Sequence, residues 1–512
     1  MGSMPDKPLP AVGIDLGTTY SVVARVDDAG RPTTIVNAEG ELLTPSVVLF
    51  DGSDIVVGKE AVKALLSEPH HVAECAKREL GATAFHQKFE GQPVPPEVLE
   101  ACILHKLRDD VRMQIGDFRQ AVITVPAYFD EVRRKATQDA GYMAGLDVLD
   151  IVNEPTAAAI AFGYQQGFVN PREGSVAPQK LLVYDLGGGT FDVTVMELRE
   201  GEFRTLATDG DVRLGGRDWD DRLIEFVALR FADKHGFDPR GKATVAARLR
   251  RECEDAKRTL SARPKANLLF DLPNCPFQLE VTREHFTELT HDLLDRTQFT
   301  ARQVLRNAGL AWQDLDRVLL VGGSTRMPMV AEMLRELSGR EPDRSIAADE
   351  AVAHGAALYA SWLLEQATGK PRVVVRNVNS HSLGVVGIDR ATRHERNVTL
   401  IPRNTPLPVV ARRTFKTRAA SQRSVLVRIV EGEAADPRHC TSIGSCTVTD
   451  LPADLPKGTP IEVAFHYRPD GRLTIDVGIE GTDRKLRHEL ARASGLNQAD
   501  LDRWRERLGG NA

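Results

Sequence analysis

The chain repeats itself, and the repeat constrains its fold more than any other feature. Ala11–Ala24 reads as apolar strand, tight turn, apolar strand, with Asp15-Leu-Gly-Thr-Thr19 at the turn. Leu181–Val195 follows the same plan, with Asp185-Leu-Gly-Gly-Gly-Thr190 at its turn. Each half continues with a short apolar strand that runs into a turn and a helix, Ala121–Val125 and Val318–Val321. Further on, each has an Ala-rich helix opened by an acid, at Glu154 and at Asp349. Two such units predict related α/β halves that face each other, with a ligand held between them where strand ends and turns meet.

Near residues 365–380 the pattern changes. Helical composition stops at Gly369-Lys-Pro371, and from about 382 to 490 apolar residues alternate. Ile461, Val463, Phe465 and Tyr467 mark one strand, Leu473, Ile475, Val477 and Ile479 the next, around a Pro469-Asp-Gly471 turn. This spacing, without helices, predicts an antiparallel sandwich. The tail predicts a short helix with Asn497 as N-cap and an apolar stripe at Leu501, Trp504 and Leu508. Charge separates the two parts. The 512 residues sum to −6, yet residues 372–428 hold twelve Lys/Arg and two Asp/Glu, a local +10. No apolar run reaches the ~18 residues of a membrane span. The start lacks a secretory signal, and six scattered cysteines without a CxxC pair predict reduced thiols and a cytoplasmic location.

Glycine turns with adjacent threonines suit phosphates, because successive backbone N–H groups form an anion nest and hydroxyls add donors. One Asp-Leu-Gly turn is an ordinary hairpin; two in equivalent places point to a polyphosphate gripped from both sides. Asp15 and Asp185 then face each other, a natural outer shell for Mg²⁺. A helix predicted over about 244–261 carries Val245, Leu249, Cys253, Ala256 and Leu260 on one face and Glu254, Lys257, Arg258 and Ser261 on the other. That polar face is a solvated one unless it borders the cleft, where a cation would stack on a base and an acid would bond a ribose hydroxyl. Val321-Gly-Gly-Ser324-Thr-Arg326 is another glycine turn fit for a nucleotide. Lys77, taken alone, reads as a surface lysine, although phosphoryl transfer needs a cation near the γ-phosphate. His354 and His381 read as structural.

Together these segments resemble the heat-shock protein 70 family of DnaK-like chaperones. The matches are Gly13–Thr19, Val122–Phe129, Asn153–Ala159, Tyr184–Asp192, Leu214–Gly216 and Val321–Pro328, with Ser494–Asn497 closing the sandwich. The likeness runs from about residue 11 to 508. It implies an actin-like ATPase domain, a duplicated ribonuclease-H-like α/β fold over residues 10–370. A linker (371–380), an antiparallel β-sandwich for extended apolar peptides (381–492) and the start of a lid helix (493–512) follow. The chain stops inside that helix, and a truncated chain and a naturally lidless one both remain open.

By position, the resemblance puts Lys77 at the γ-phosphate of ATP or ADP. Glu154 and Asp185 become the Mg²⁺-side acids, bound mostly through water, with Asp15 and Asp192 as the other cleft carboxylates; K⁺ is a further cation the site admits. Thr18, Thr19 and Thr190 supply phosphate hydroxyls, and Gly17, Tyr20, Gly187, Gly188, Gly189, Gly215 and Gly216 complete that side. Gly322, Gly323, Ser324, Arg326, Glu254, Lys257, Arg258, Ser261 and Asp349 match the adenosine pocket. Pro126 and Arg134 match the relay between domains. Val425 matches the floor of the peptide pocket, with Val385 and Phe415 nearby, and Arg418 falls where the family has a small arch residue.

Three departures bear on function. The chain is shorter between Gly81 and Pro126 and between Ser261 and Val281, a region that meets nucleotide-exchange factors. The linker is Val373-Val374-Val375-Arg376-Asn377, a charge in place of an apolar residue and no anionic end, which puts coupling in question. The reading is therefore an ATP-driven folding chaperone for unfolded or extended apolar peptides, working with a J-domain co-chaperone and a nucleotide-exchange factor. The alternative is a nucleotide-binding co-chaperone or holdase with uncoupled ATPase. Nucleic-acid binding by the +10 segment ranks behind both, since Phe415 is its sole aromatic.

Overall fold

The computed structural model describes residues 11–52, 54–169, 176–366, 373–389, 391–468, 473–482, 485–489 and 495–510. The Gly369–Pro371 helix stop, the Pro469–Gly471 turn and Ser494 lie outside them. The first lobe is built on β1 (Val12–Asp15), β2 (Tyr20–Val26) and β3 (Pro32–Ile35), then α1 (Pro96–Ile115), β4 (Gln120–Val125), α2 (Glu131–Met143), β5 (Asp147–Asn153) and α3 (Glu154–Gln165). Its main sheet runs β5-β4-β1-β2-β3. β1 pairs parallel with β4 and antiparallel with β2.

The second lobe repeats that pairing. Its elements are β6 (Gln179–Leu186), β7 (Phe191–Arg199), β8 (Glu202–Asp211), α4 (Gly216–His235), α5 (Ala243–Ala262), β9 (Arg317–Val321) and α6 (Ala351–Gln366). β6 pairs parallel with β9 and antiparallel with β7, and β7 antiparallel with β8. A three-residue strand, β10 (Val374–Arg376), closes this sheet by pairing parallel with Glu202–Arg204 of β8.

The two Ala-rich helices expected to be equivalent, α3 and α6, pack on each other. A Cβ on Gly355 would stand 1.7 Å from the Ala157 carbonyl oxygen, and one on Gly13 would stand 2.1 Å from the Ala357 nitrogen. Hydrogen at these positions lets α6 lie directly on α3 and β1. One core therefore runs from Val122 through Ala157–Phe162 and Val352 to Leu181, Val183 and Val321, joining the lobes.

The sandwich pairs β11 (Leu383–Ile388), β12 (Glu395–Ile401), β13 (Val409–Lys416), β14 (Val425–Glu431), β15 (Thr441–Val448), β16 (Pro460–Tyr467), β17 (Leu473–Ile479) and β18 (Lys485–Glu489). Its sheets run β12-β11-β14-β15 and β13-β16-β17-β18. The period-two residues point inward as expected, Phe465 and Ile475 fully buried between the sheets. A 3₁₀ turn at Pro437–His439 is the one helical piece among the sandwich's described residues.

The sandwich rests on the first lobe. Val132 of α2 belongs to the sandwich core, and Glu431 accepts a hydrogen bond from the Glu131 nitrogen at 3.0 Å. The tail forms α7 (Gln498–Gly509), capped by Asn497, whose side chain accepts from the Asp500 nitrogen. Its stripe faces the first lobe and not the sandwich: Leu501, Leu508, Trp504 and the preceding Leu496 join the α1/α2 core. Tyr142 donates to Asp502 at 2.6 Å, and the Arg505 guanidinium lies 4.5 Å from the Tyr142 ring centroid. Leu496, in the segment matched to the close of the sandwich, is partly buried against this first-lobe core.

Candidate nucleotide cleft

The β1–β2 and β6–β7 turns meet face to face. A Cβ on Gly188 would stand 2.0 Å from Thr19 Oγ1, and one on Gly189 2.4 Å from Thr18 Cγ2. The second turn is braced from behind: Gly216 and Arg217 nitrogens at the start of α4 donate to Gly187 and Gly188 carbonyls at 2.9 Å each. Ser324 Oγ donates to the Gly187 carbonyl at 2.9 Å. Gly215 and Gly216 sit equally close, a Cβ on either falling 2.5 Å or less from Gly189 or Ser324. Gly17 allows Tyr20 to fold back, since a Cβ there would meet the Tyr20 carbonyl at 2.0 Å. Thr190 is buried, its carbonyl accepting from Gly187 at 3.0 Å to close the turn.

Below the turns lies a buried charge cluster. Lys77, expected on its own merits at the surface, has a side chain 2% exposed and pairs with Glu154 at 2.5 Å. It also donates to the Leu16 carbonyl. Cys75 in the left-handed region at φ 60° turns the chain into the 3₁₀ segment Ala76–Glu79 that carries this lysine inward. Burial alone would pull the Lys77 ammonium down, but Glu154 and Asp15 carry it above its ordinary value. Asp15 accepts from Thr124 at 3.1 Å and is pushed up to about 7, by burial first and then by Glu154. Asp185 and Asp192 are register neighbours on β6 and β7. Burial, then Glu154, raises Asp185 well above the carboxylate range and Asp192 to about 8.

The expected adenosine residues ring the same cleft from the second lobe. Lys257 donates to the Gly216 carbonyl at 2.9 Å and pairs with Asp220 at 2.8 Å. Arg258 pairs with Glu254 at 2.5 Å and reaches across to the Tyr20 hydroxyl at 3.1 Å. The polar face of α5 therefore borders the cleft and is not simply solvated. Ser261 turns back on its own helix, bonding the Lys257 carbonyl at 3.1 Å. Gly322, at φ +81°, leaves room for Asp185, whose Oδ1 would lie 2.6 Å from a Cβ there. Gly323 lies beside Asp349, which pairs with Arg326.

Three further features had no separate signal in the sequence. Glu100 of α1 is buried near Lys77, and burial, opposed by that lysine, pushes it up to about 8. Tyr128 gives its backbone nitrogen to Asp192 at 2.9 Å and its carbonyl to His381 Nε2 at 3.0 Å, with the two rings 4.2 Å apart. Phe129 stands between Lys77 and Arg133, its ring centroid 5.9 Å from each cation. Beyond it, a cavity of about 730 Å³ opens between lobe and sandwich, lined by Cys75, Arg78, Arg133, Arg217 and Thr441 among others. Pro126 and Arg134 frame this loop: Arg134 donates to the Ala127 and Phe129 carbonyls at 3.2 and 3.1 Å and to Asn153 at 2.7 Å. The expected peptide residues lie apart from all this. Val385 and Val425 are buried in the sandwich core, Phe415 packs against it, and Arg418 is exposed.

The family model described as Hsp70 protein matches residues 11–508. The chain belongs to the Hsp70 family. The chaperone protein DnaK of Thermotoga neapolitana is 38% identical over 508 residues, covering 97% of this chain and 82% of that protein. The same figures hold for DnaK of Thermotoga petrophila and Thermotoga maritima. As an Hsp70 this chain is an ATPase and an ATP-dependent molecular chaperone that assists protein folding. Family members bind ATP and ADP. Among the described residues no helix is long and apolar enough to cross a membrane.

Proposed function

We propose that ATP is hydrolysed by the buried cluster beneath the paired turns, which part to admit the polyphosphate. The observation that carries this reading is the convergence of Lys77, Glu154, Asp15 and Asp185 under two glycine turns in direct contact. The lobes are read as the duplicated ribonuclease-H-like halves of an actin-like domain (10–370), supported by their shared pairing pattern. The linker (371–380), peptide-binding sandwich (381–492) and C-terminal helix (493–512) complete the assignment.

In this reading water attacks the γ-phosphate in line, and Lys77, held by Glu154, stabilises the charge that develops. Thr18, Thr19, Thr190 and the turn amides hold the phosphates, while Asp185 and Asp192 orient the water. The donor set is oxygen only, and no three His, Cys, Asp or Glu among the described residues are close enough to hold a metal directly. The oxygen donors of Asp15, Glu154 and Asp185 suit Mg²⁺ bound through water. When bound it neutralises phosphate charge. Lys77→Ala is expected to cut single-turnover ATP hydrolysis on the order of 100-fold or more, with ATP affinity changed only a few-fold. Unchanged turnover would reject the assignment.

Coupling is favoured over an uncoupled holdase by the linker. Arg376, the charge that departs from the family, pairs with Glu202 at 2.7 Å, and Asn377 accepts from Thr156 and Thr205 at 3.3 and 3.4 Å. Val373 is buried and Val375 packs beside it, while Val374 is exposed. Nucleotide state would reach the sandwich through Asp192, Tyr128 and His381, within the Pro126–Arg134 frame. Its clients would be extended apolar segments at Val385, Phe415, Val425 and Arg418. A J-domain co-chaperone and an exchange factor in the cytoplasm would complete the cycle.

A further inference from the structure

We infer that the sandwich selects extended apolar segments flanked by acidic residues. The inference rests on the reading of Val385, Phe415 and Val425 as the peptide site. β11 and β14 share a ladder only where Leu383–Val385 meets Ile429–Glu431. Beyond it, Val386–Ile388 pairs with β12 alone and Val425–Arg428 with β15 alone. Two strands of one sheet therefore part, and each turns a backbone edge without a ladder partner, among the described residues, toward the gap. Such edges accept an extended chain through main-chain hydrogen bonds. Apolar surface borders the gap: Ile388 is 40% and Leu426 58% exposed, and the Phe415 ring comes within 3.7 Å of a Cβ placed on Gly387.

The two loops that flank the gap carry Arg390, Arg393, Arg418 and Arg423 against Asp389, while the adjoining 449–459 loop adds Asp450, Asp454 and Lys457. Residues 386–428 contain ten Lys/Arg and two acids, Asp389 and Glu395. Both acids are committed, Asp389 to Arg396 at 3.7 Å and Glu395 to Arg428. Arg412 and Arg403 are neutralised elsewhere, by Glu462 and Asp209. Arg393, Lys416, Arg418 and Arg423 are exposed and have no carboxylate within 4.0 Å among the described residues. Arg393 follows Ile388 in the β11–β12 loop, while Arg418 and Arg423 lie in the loop that delivers Val425. That second loop is fixed, with Arg418 nitrogen donating to Gln422 Oε1 at 3.0 Å and Ser421 nitrogen to the Leu455 carbonyl at 2.8 Å. Cations without a carboxylate partner on both loops complement acidic flanks and repel basic ones.

The test uses the full chain with ADP and three fluorescent peptides that share one neutral apolar core, flanked by Glu, Gln or Lys. Anisotropy is expected to give the Glu peptide about tenfold tighter binding than the Lys peptide at low salt, the gap closing near ~0.5 M salt. Arg418→Ala with Arg423→Ala should shrink the gap to about twofold, whereas Arg412→Ala, which removes a paired cation, leaves it intact. Equal or tighter binding of the Lys peptide, with the Gln peptide still bound, overturns the selection. If the Gln peptide fails to bind, or Val425→Phe leaves its affinity unchanged, the peptide-site reading itself fails and the selection falls with it.

Discussion

A carboxylate buried with one oxygen lacking a hydrogen-bond partner is costly to ionise, and Glu100 is such a group. Its folded value near 8 lies above the ordinary 4.5. Between those values the folded state binds more protons than the unfolded one. The stabilising contribution is therefore fully present below about 4.5 and is lost as pH rises through about 8. Asp15 and Asp192, raised for the same reason, act in the same direction. The nucleotide-free protein should lose thermal stability as pH rises from 5 to 8. Glu100→Gln should lose less, by up to about 1.4 kcal/mol for each pH unit crossed. Parallel melting curves of the two proteins across that range would exclude the assignment. Single residues were the least legible scale of the sequence. Nothing local to Lys77 or Glu100 announces burial; both depend on α1, the Cys75 turn and α3 being brought together from distant parts of the chain.

At the scale of elements, the hairpin turns are defined by contact as much as by conformation. Gly189 has no special φ that demands glycine, yet its hydrogen faces the Thr18 side chain, itself buried. Gly187 differs: a Cβ there would meet nothing nearer than the Thr190 carbonyl at 3.6 Å. Gly187→Ala should therefore leave ATP binding within about twofold, whereas Gly189→Ala, whose methyl would occupy the space between the turns that the phosphates enter once they part, should weaken it on the order of tenfold or more. Calorimetric titration with ATP would distinguish them, and equal affinities would show that the close approach is dispensable. The elements themselves were largely legible. The two hairpins, the acid-opened helices, the amphipathic helix of Glu254–Ser261 and the alternating strands each carry a local period. What no period encodes is the partner of an exposed stripe. Leu501, Trp504 and Leu508 predict a helix and a buried face, but the face they bury is the first lobe's, because α1 and α2 offer apolar surface there.

The whole molecule is held in a docked arrangement, with sandwich, linker strand and tail helix all seated on the two lobes. The Arg403–Asp209 pair lies at this junction, 2.5 Å apart with side chains 24% and 11% exposed. Beside it, the Thr208 nitrogen donates to Asn404 at 3.0 Å. A half-shielded pair of this kind matters mainly when broken, since removing one charge strands the other. Docking also relies on neutral contacts, such as Val132 in the sandwich core and His381 on Tyr128, so the pair tips a balance and does not set it alone. Asp209→Lys places two cations together and should cost docking about 1–3 kcal/mol. Small-angle scattering with ATP present should then report a larger radius of gyration, and peptide affinity should no longer differ between the ATP and ADP forms. Arg403→Glu in the same chain restores an opposite-charge pair and should recover both. A radius unchanged by Asp209→Lys, or an expansion that the second substitution fails to reverse, would mean that this contact does not hold the sandwich to the lobes.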